Sequence, residues 1–394
     1  MGGALDRRRL IQGSASLAVL GLSACATTKV PAASAAVPPL APIRASLDRL
    51  FDITVCLRPF RAAGPRLDTE QVGSKLVVHN YGHGGSGWSL SWGSSTIAVR
   101  KAMQASPKEI AVIGCGALGL TSAIVAQGAG AQVTIYARDM LPDTRSARAT
   151  GSWTPTSRIA LESAVSADFP ALWEEMARIS FKTYRRYLGL PGNPVEWTDR
   201  YYLADAARPE HAATPAPAPL AFADYTSRIR DIQPMAEDLT PGSTPFPVAN
   251  VRRTSLMQFN IADYGHTLMS DFLAAGGRFV RAEFASLGEL SRLKEKVVIN
   301  CPGYGARALC RDETVVPVRG QIGWLIPQPE VNYGFYYDGV SVLSRRDGIV
   351  VQVLEGGDMR GYNDTNETVD RPESEDGVRT IAKLYERFGE KGAG

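Results

Sequence analysis

The segment that most restricts this chain is Lys108 to Asp139, KEIAVIGCGALGLTSAIVAQGAGAQVTIYARD. Ile110 to Ile113 is a short apolar run that reads as a buried parallel strand. It leads into Gly114-Cys115-Gly116-Ala117-Leu118-Gly119 and then a helical stretch, Leu120 to Gln127. Gly128 to Gly130 stop that helix, and Gln132 to Tyr136 reads as a second strand. Strand, GxGxxG, helix and strand in register make a dinucleotide-binding βαβ unit. Gly114 serves the tight turn, Gly116 the backbone approach to a pyrophosphate and Gly119 the close helix–strand packing. The helix N-terminus offers unpaired N–H groups and partial positive charge to the diphosphate. The second strand ends Ala137-Arg138-Asp139. Asp139 suits a ribose, as in FAD or NAD, and Arg138 suits the 2′-phosphate of NADP, so the motif alone leaves the dinucleotide open.

A second strand–glycine loop–helix unit precedes this one. Leu76 to Tyr81 reads as a strand, Gly82-His83-Gly84-Gly85-Ser86-Gly87-Trp88-Ser89 follows, and Ile97 to Met103 reads as a helix. So many glycines require the backbone to approach a ligand closely or to adopt φ > 0 repeatedly. The loop can point N–H groups at an anionic ring or oxyanion. His79 and His83 have i, i+4 spacing, but glycines between and after them oppose a helix and hence a zinc pair. HGGSG is similar to a lipase oxyanion loop, yet the chain has no GxSxG elbow, which argues against a serine hydrolase. Further upstream, Phe51 to Leu57 has strand character, and Pro59 is expected to end its regular pairing. Arg58, beside that proline, suits a bidentate clamp on a carboxylate or an ordinary surface position.

The 394 residues predict two domains or one large α/β body. A net charge of +3 with 21% charged residues gives no electrostatic case for nucleic acid. The five cysteines contain no CxxC, and neither a disulfide nor a metal site is assigned. Residues 1–25 read as an export signal: Arg7-Arg8-Arg9-Leu10-Ile11 matches a twin-arginine pattern, and the apolar run Leu17 to Ala24 is too short to span a membrane. Leu22-Ser23-Ala24-Cys25 resembles a bacterial lipobox, with Cys25 lipidated, a periplasmic location and membrane attachment only through that lipid. Residues 26–46, rich in Ala and Pro at their start, read as a tether.

Beyond the motif, Thr144 to Ser157 is polar and expected to cover the cofactor. Phe169 to Leu188 and Asp263 to Ala275 read as helices, and Trp197 to Ala204, Phe279 to Ala282 and Val297 to Cys301 as strands. Pro209 to Pro219 reads as a loop. Val318 to Leu325, Gly334 to Leu343 and Gly348 to Leu354 form an aromatic-rich sheet, and Arg371 to Phe388 an amphipathic helix.

VVHNYGHGGSGWSLSWG (Val77 to Gly93), LRPFR (Leu57 to Arg61), IAVIGCGALGL (Ile110 to Leu120), VINCPGYGARAL (Val298 to Leu309) and VRGQIGWL (Val318 to Leu325) together resemble the D-amino-acid oxidase family of FAD-dependent oxidases. In that family the dinucleotide motif starts the chain, and the RP and HNYGHGG segments end it. Here those two come first, which resembles a circular permutation joined through Met103 to Lys108. The implied fold is α/β, a Rossmann-like FAD-binding domain (residues 59–155 and 250–317) plus a mixed-sheet substrate domain (47–58, 156–249 and 318–394).

The resemblance implies roles. Gly114, Gly116 and Gly119 would hold the FAD diphosphate, with Asp139 or Arg138 near the ribose. The backbone of Gly84, Ser86, Gly87 and Trp88, with the Ser89 hydroxyl, would approach the flavin pyrimidine edge. The Gly85 carbonyl would hold the substrate amine and Arg58 its carboxylate. Tyr337 matches one active-site tyrosine, and Ser341 stands where a second, carboxylate-binding tyrosine is expected. The implied reaction passes hydride from Cα of a D-amino acid to flavin N5, gives 2-oxo acid and ammonia, and makes hydrogen peroxide from O2. Alternatives on the same fold are glycine, an N-methyl amino acid or D-aspartate as substrate, and a non-catalytic flavin- or ligand-binding lipoprotein.

Overall fold

Two sheets built around the two glycine loops account for the body of the protein. The computed structural model describes residues 40–206, 220–355 and 357–391. The export signal, Cys25, most of the tether and the 209–219 loop lie outside the described residues.

The first sheet has the order β2 (Thr69–Val72), β3 (Lys75–His79), β10 (Val297–Asn300), β4 (Glu109–Ile113), β5 (Gln132–Ala137) and β9 (Arg278–Arg281). All neighbours are parallel except β2, which pairs antiparallel with β3 at the edge. β3, β10 and β4 are buried along nearly their whole length, as the continuous Val/Ile runs dictate. Helices α1 (Gly87–Met103), α2 (Ala117–Gly128), α3 (Phe169–Tyr184) and α4 (Ile261–Ala274) share one core with this sheet.

α1 begins at Gly87, ten residues before the expected start at Ile97. Its first turns are WSLSWGSS, poor helix formers in isolation. Packing supplies what propensity lacks: Ser89, Ser91, Ser94 and Ser95 are buried, and a Cβ at Gly93 would fall on the Met176 backbone of α3. The small side chains let α1 lie close against its neighbours.

The second sheet is mixed, with the order β1 (Leu50–Arg61), β11 (Val315–Leu325), β14 (Gly348–Val353), β13 (Val340–Arg345), β12 (Tyr333–Tyr337), β6 (Val195–Ala204), β8 (Asn250–Phe259) and β7 (Glu237–Asp238). α5 is a single turn, Ala306–Leu309, and α6 (Arg371–Lys391) buries Val378, Ile381 and Leu384 against this sheet.

Several expectations are corrected here. β1 runs through Pro59 to Arg61, because it is an edge strand whose Pro59 faces Pro317 and needs no ladder donor at that point. The expected strand Gly334 to Leu343 is a hairpin, turned by Asp338 and Gly339 at φ 44° and 73°. Residues 250–259, assigned within 250–317 to the FAD-binding domain, form β8, which pairs along its length with β6 in the second sheet. α3, in the 156–249 segment assigned to the substrate domain, packs against α1 in a core to which both sheets contribute. The end of the tether is docked: Ile43 is buried in the second core, and the Tyr333 hydroxyl donates to the Ala41 carbonyl at 2.7 Å.

Candidate active site

Every parallel strand of the first sheet releases its chain, at the C-terminal end, into the lining of one cavity of about 1340 Å³. β3 leads to Gly82–Ser89, β10 to Cys301–Gly305, β4 to Gly114–Leu118, β5 to Arg138–Asp139 and β9 to Ala282–Ala285. That edge is where open α/β sheets bind ligands. The two glycine loops leave strands separated only by β10, about 10 Å apart at sheet spacing. The opposite wall comes from the second sheet and carries Arg58, Arg200, Tyr336, Ser341 and Gln352. An isolated bridge between Phe60 and His83 ties the end of β1 to the glycine loop.

Backbone geometry explains the glycines. Gly114 has φ 96°, and a Cβ there would fall on the Cys301 carbonyl oxygen. A Cβ at Gly119 would fall on the Gly114 carbonyl oxygen, so this residue acts by packing and does not line the cavity. At Gly116 a Cβ would sit 2.6 Å from Ser146 Oγ. Gly84 has φ 54° and meets the Arg158 backbone with no room for a side chain. Trp88 donates from Nε1 to the Ser146 carbonyl at 2.8 Å, and Ser89 Oγ accepts from Thr154 N at 2.8 Å. The 144–157 segment is thus laced to the glycine loop along the cavity.

The residues present fit a large polar dinucleotide. Ala117 N, at the start of α2, donates to Ser146 Oγ at 3.0 Å, which puts a serine hydroxyl at the helix N-terminus where a diphosphate binds. His83 Nδ1, Thr144 Oγ1 and Arg145 Nε are buried without a hydrogen-bond partner, and all three residues line the cavity. Such orphaned atoms call for a polar ligand. At the far end Arg138 pairs with Asp139 at 2.8 Å and with Glu283 at 3.3 Å. Neutralised by two carboxylates, it is a poor receptor for a 2′-phosphate, and the acids remain for a ribose.

Of the expected site residues, Arg58, Gly84, Gly85, Gly87, Trp88, Ser89, Gly114, Gly116, Arg138 and Asp139 line this one cavity. Ser86 does not: its hydroxyl donates to the Thr154 and Ser157 carbonyls at 3.2 and 3.0 Å. Tyr337 also lies off the lining. Its hydroxyl donates to Asp205 at 2.7 Å and accepts from Arg387 at 3.0 Å, in the second core. Successive strand residues point to opposite faces, so the neighbouring Tyr336 takes the cavity side. Thr144, Ser146, Arg158 and Arg200 were not singled out from sequence. The polar character of 144–157 was the signal for the first two, and no local signal marked the arginines.

Arg58 is half-buried, and its guanidinium lies over Gly320, where a Cβ would collide with it. It donates from Nη1 to the Arg319 carbonyl at 3.2 Å and has no carboxylate partner among the described residues. Desolvation lowers its pKa, opposed by Cys56 and Asp358. Arg200 is buried, held by the Ser152 hydroxyl at 2.9 Å and the Ser341 hydroxyl at 2.6 Å. Its pKa too is lowered by burial. His83 shares Nε2 with Ser94 Oγ at 2.7 Å, and burial pushes it down to about 3. The cavity therefore contains buried cations and a neutral imidazole.

Residues 109–391 match the family described as FAD dependent oxidoreductase, and the chain belongs to that family. FAD is its cofactor. The chain is 52% identical over 58 residues to a D-amino-acid oxidase of Dictyostelium discoideum, covering 14% of this chain and 16% of that protein. It is 29% identical over 221 residues to the D-amino-acid oxidase of Streptomyces coelicolor, covering 54% of this chain and 58% of that one. A similar match, 29% over 216 residues, covers 54% of this chain and 57% of the Rubrobacter xylanophilus D-amino-acid oxidase. The chain thus spans little more than half of these two relatives and far less of the first. Among solved structures, glycine oxidase from Geobacillus kaustophilus aligns with a TM-score of 0.45 at 12% identity, over 71% of this chain and 77% of that one.

Proposed function

We propose that the protein is an FAD-dependent oxidase that converts a D-amino acid to its 2-oxo acid, with ammonia and hydrogen peroxide as co-products. The observation that carries the reading is Arg58, a desolvated cation without a carboxylate partner among the described residues, in the cavity that also holds both glycine loops. When bound, FAD would supply the acceptor for the hydrogen and electron pair leaving the substrate, with O2 as the final oxidant. The chain's own residues position the substrate. Arg58 donates to the carboxylate, and the Gly85 carbonyl accepts from the amine. His83, neutral at working pH, adds no competing charge. Orientation of Cα is the work asked of the site. The D configuration rests on the likeness to D-amino-acid oxidases.

The test is peroxide release across D- and L-amino acids, glycine and sarcosine. Release from D-amino acids is expected; silence across the whole panel would overturn the oxidase.

The order of segments supports a circular permutation: the family match begins at residue 109, and the strand and glycine loop at Lys75–Ser89 lie before it. Residues 104–108 suffice to join α1 to β4. The Arg7–Arg9 and Leu22–Cys25 patterns support export and a lipid anchor at Cys25. A Cys25→Ser chain is expected in the soluble fraction, and its continued sedimentation with membranes would refute the anchor.

A further inference from the structure

Arg58 does not stand alone. Arg58 and Arg158 both line the main cavity and a second one of about 340 Å³ beyond it, so the two guanidiniums form part of the wall between them. On the far side Arg319 and Arg360 have acids of their own. Arg319 lies 3.9 Å from Glu373 and 4.0 Å from Asp364, and Arg360 lies 3.0 Å from Glu373. For Arg58 and Arg158 there remains, among the described residues, only Asp358.

That pairing is loose. The Asp358 carboxylate is 63% exposed and stands 3.4 Å from Arg158 Nη2, beyond the range of a good charge-assisted hydrogen bond. Arg158 spends its hydrogen bonds on main-chain oxygens, Nε to Asp358 at 2.8 Å and Nη2 to Gly357 at 3.2 Å. Nη1 of Arg158, and Nε and Nη2 of Arg58, have no hydrogen-bond partner among the described residues. Burial and the neighbouring Arg58 charge bring Arg158 down to about 10. The backbone holds Arg158 there at φ 47°, a left-handed conformation rare for arginine. Two like charges are therefore held in the same cavity wall in partial burial, with the exposed Asp358 as the acid whose charge acts on both. A monocarboxylate would neutralise one of them, whereas a dicarboxylate would satisfy both.

We propose that the substrate of this site is a dicarboxylic D-amino acid, with its α-carboxylate on Arg58, its side-chain carboxylate on Arg158 Nη1, and Asp358 acting as the protein's own competitor for Arg158. This rests on the oxidase reading of the same cavity. It makes Arg158 a specificity-determining residue and the Gly357–Met359 turn part of the substrate end.

The test titrates the flavin-loaded full chain by calorimetry with succinate and with succinamate, which has nearly the same shape but replaces one carboxylate with an amide. Succinate is expected to bind at least about tenfold tighter, the share of a second charged contact. Equal affinities would overturn the proposal. Arg158→Gln should bring the two ligands to within about threefold of each other. Asp358→Asn, on an exposed turn where folding is not at stake, should tighten succinate by about threefold or more, and unchanged affinity there would remove Asp358 as a competitor. Peroxide assays separate this proposal from the oxidase itself. Equal or faster turnover of D-alanine or D-asparagine than of D-aspartate and D-glutamate would overturn the dicarboxylate assignment and leave an oxidase. No turnover of any, with succinate still preferred, would overturn the oxidase and keep the paired-arginine receptor.

Discussion

Replacing Arg58 by Met should make the protein no less stable and much worse at binding a carboxylate. The side chains are similar in volume, and Met keeps the apolar contacts of the stem. The substitution removes one hydrogen bond, the 3.2 Å contact to the Arg319 carbonyl, worth about 1.5 kcal/mol at the low end of the range for a charged donor. Against this, it relieves a desolvated cation with no carboxylate partner among the described residues. Exchanging buried ions for apolar groups of similar volume gains about 1–4 kcal/mol. The sum runs from zero, to within about 0.5 kcal/mol, up to about 2.5 kcal/mol of stabilisation, a rise of a few degrees at most in Tm. Ligand binding moves the other way: losing the charged contact costs about 2–5 kcal/mol, at least a 30-fold rise in Kd for a carboxylate. Thermal unfolding of the flavin-loaded protein and calorimetric titration with a non-reactive carboxylate read the two effects separately. A variant destabilised by more than about 2 kcal/mol, with carboxylate affinity intact, would show that Arg58 is a structural cation and would refute the reasoning.

Other substitutions test the remaining parts of the site. Gly320→Ala should push the Arg58 guanidinium off its platform and raise KM with little change in FAD affinity; equal loss of FAD would mean that the second sheet has shifted. Ser146→Ala removes the hydroxyl at the start of α2 and should weaken FAD binding to the apoprotein by roughly tenfold, read by quenching of flavin fluorescence. Tyr337→Phe should cost about 1 kcal/mol of stability through its lost bonds to Asp205 and Arg387 and leave KM alone, whereas Tyr336→Phe should act on KM. The folded pKa of His83 is depressed by burial from 6.5 to about 3, so the unfolded chain binds more protons between those values. Its contribution is complete well above pH 6.5 and is lost as pH falls toward 3, about 1.4 kcal/mol by pH 5.5. Denaturant unfolding at pH 8 and 5.5 should show that slope, and His83→Asn should flatten it by that amount.

What could be read from the sequence divides by the kind of constraint. A glycine required by φ 96° or by a carbonyl oxygen in van der Waals range is written as a residue identity, so Gly84, Gly114 and Gly119 were legible one at a time. The strands that carry the loops were legible for a related reason, since a strand buried on both faces has to be continuously apolar. Phase and partnership were not. Whether Tyr336 or Tyr337 faces the cavity depends on the hairpin register set by Asp338-Gly339, and an error of one residue inverts the answer. Pro59 could end a strand or sit on an edge, and only the sheet order decides. The helix start at Gly87 was hidden because buried serines and Gly93 suit α1 only through what α2 and α3 bring against them.

The charges at the cavity's end were the least legible, and for a physical reason. An arginine's meaning lies in its balance of partners, which no local pattern records. Arg319 and Arg58 occupy facing regions of β11 and β1. One has Glu373 and Asp364 within ion-pair range and the other has none among the described residues. Those acids come from the segment after β14 and from the start of α6, about 50 residues along the chain and closed onto β11 by the fold. A cation left over once such closures are made is one that the fold holds for something else. In this cavity that surplus sits beside the glycine loop, so the same tertiary contacts that hide the cation's role from sequence also fix the place where the carboxylate of the proposed substrate would dock.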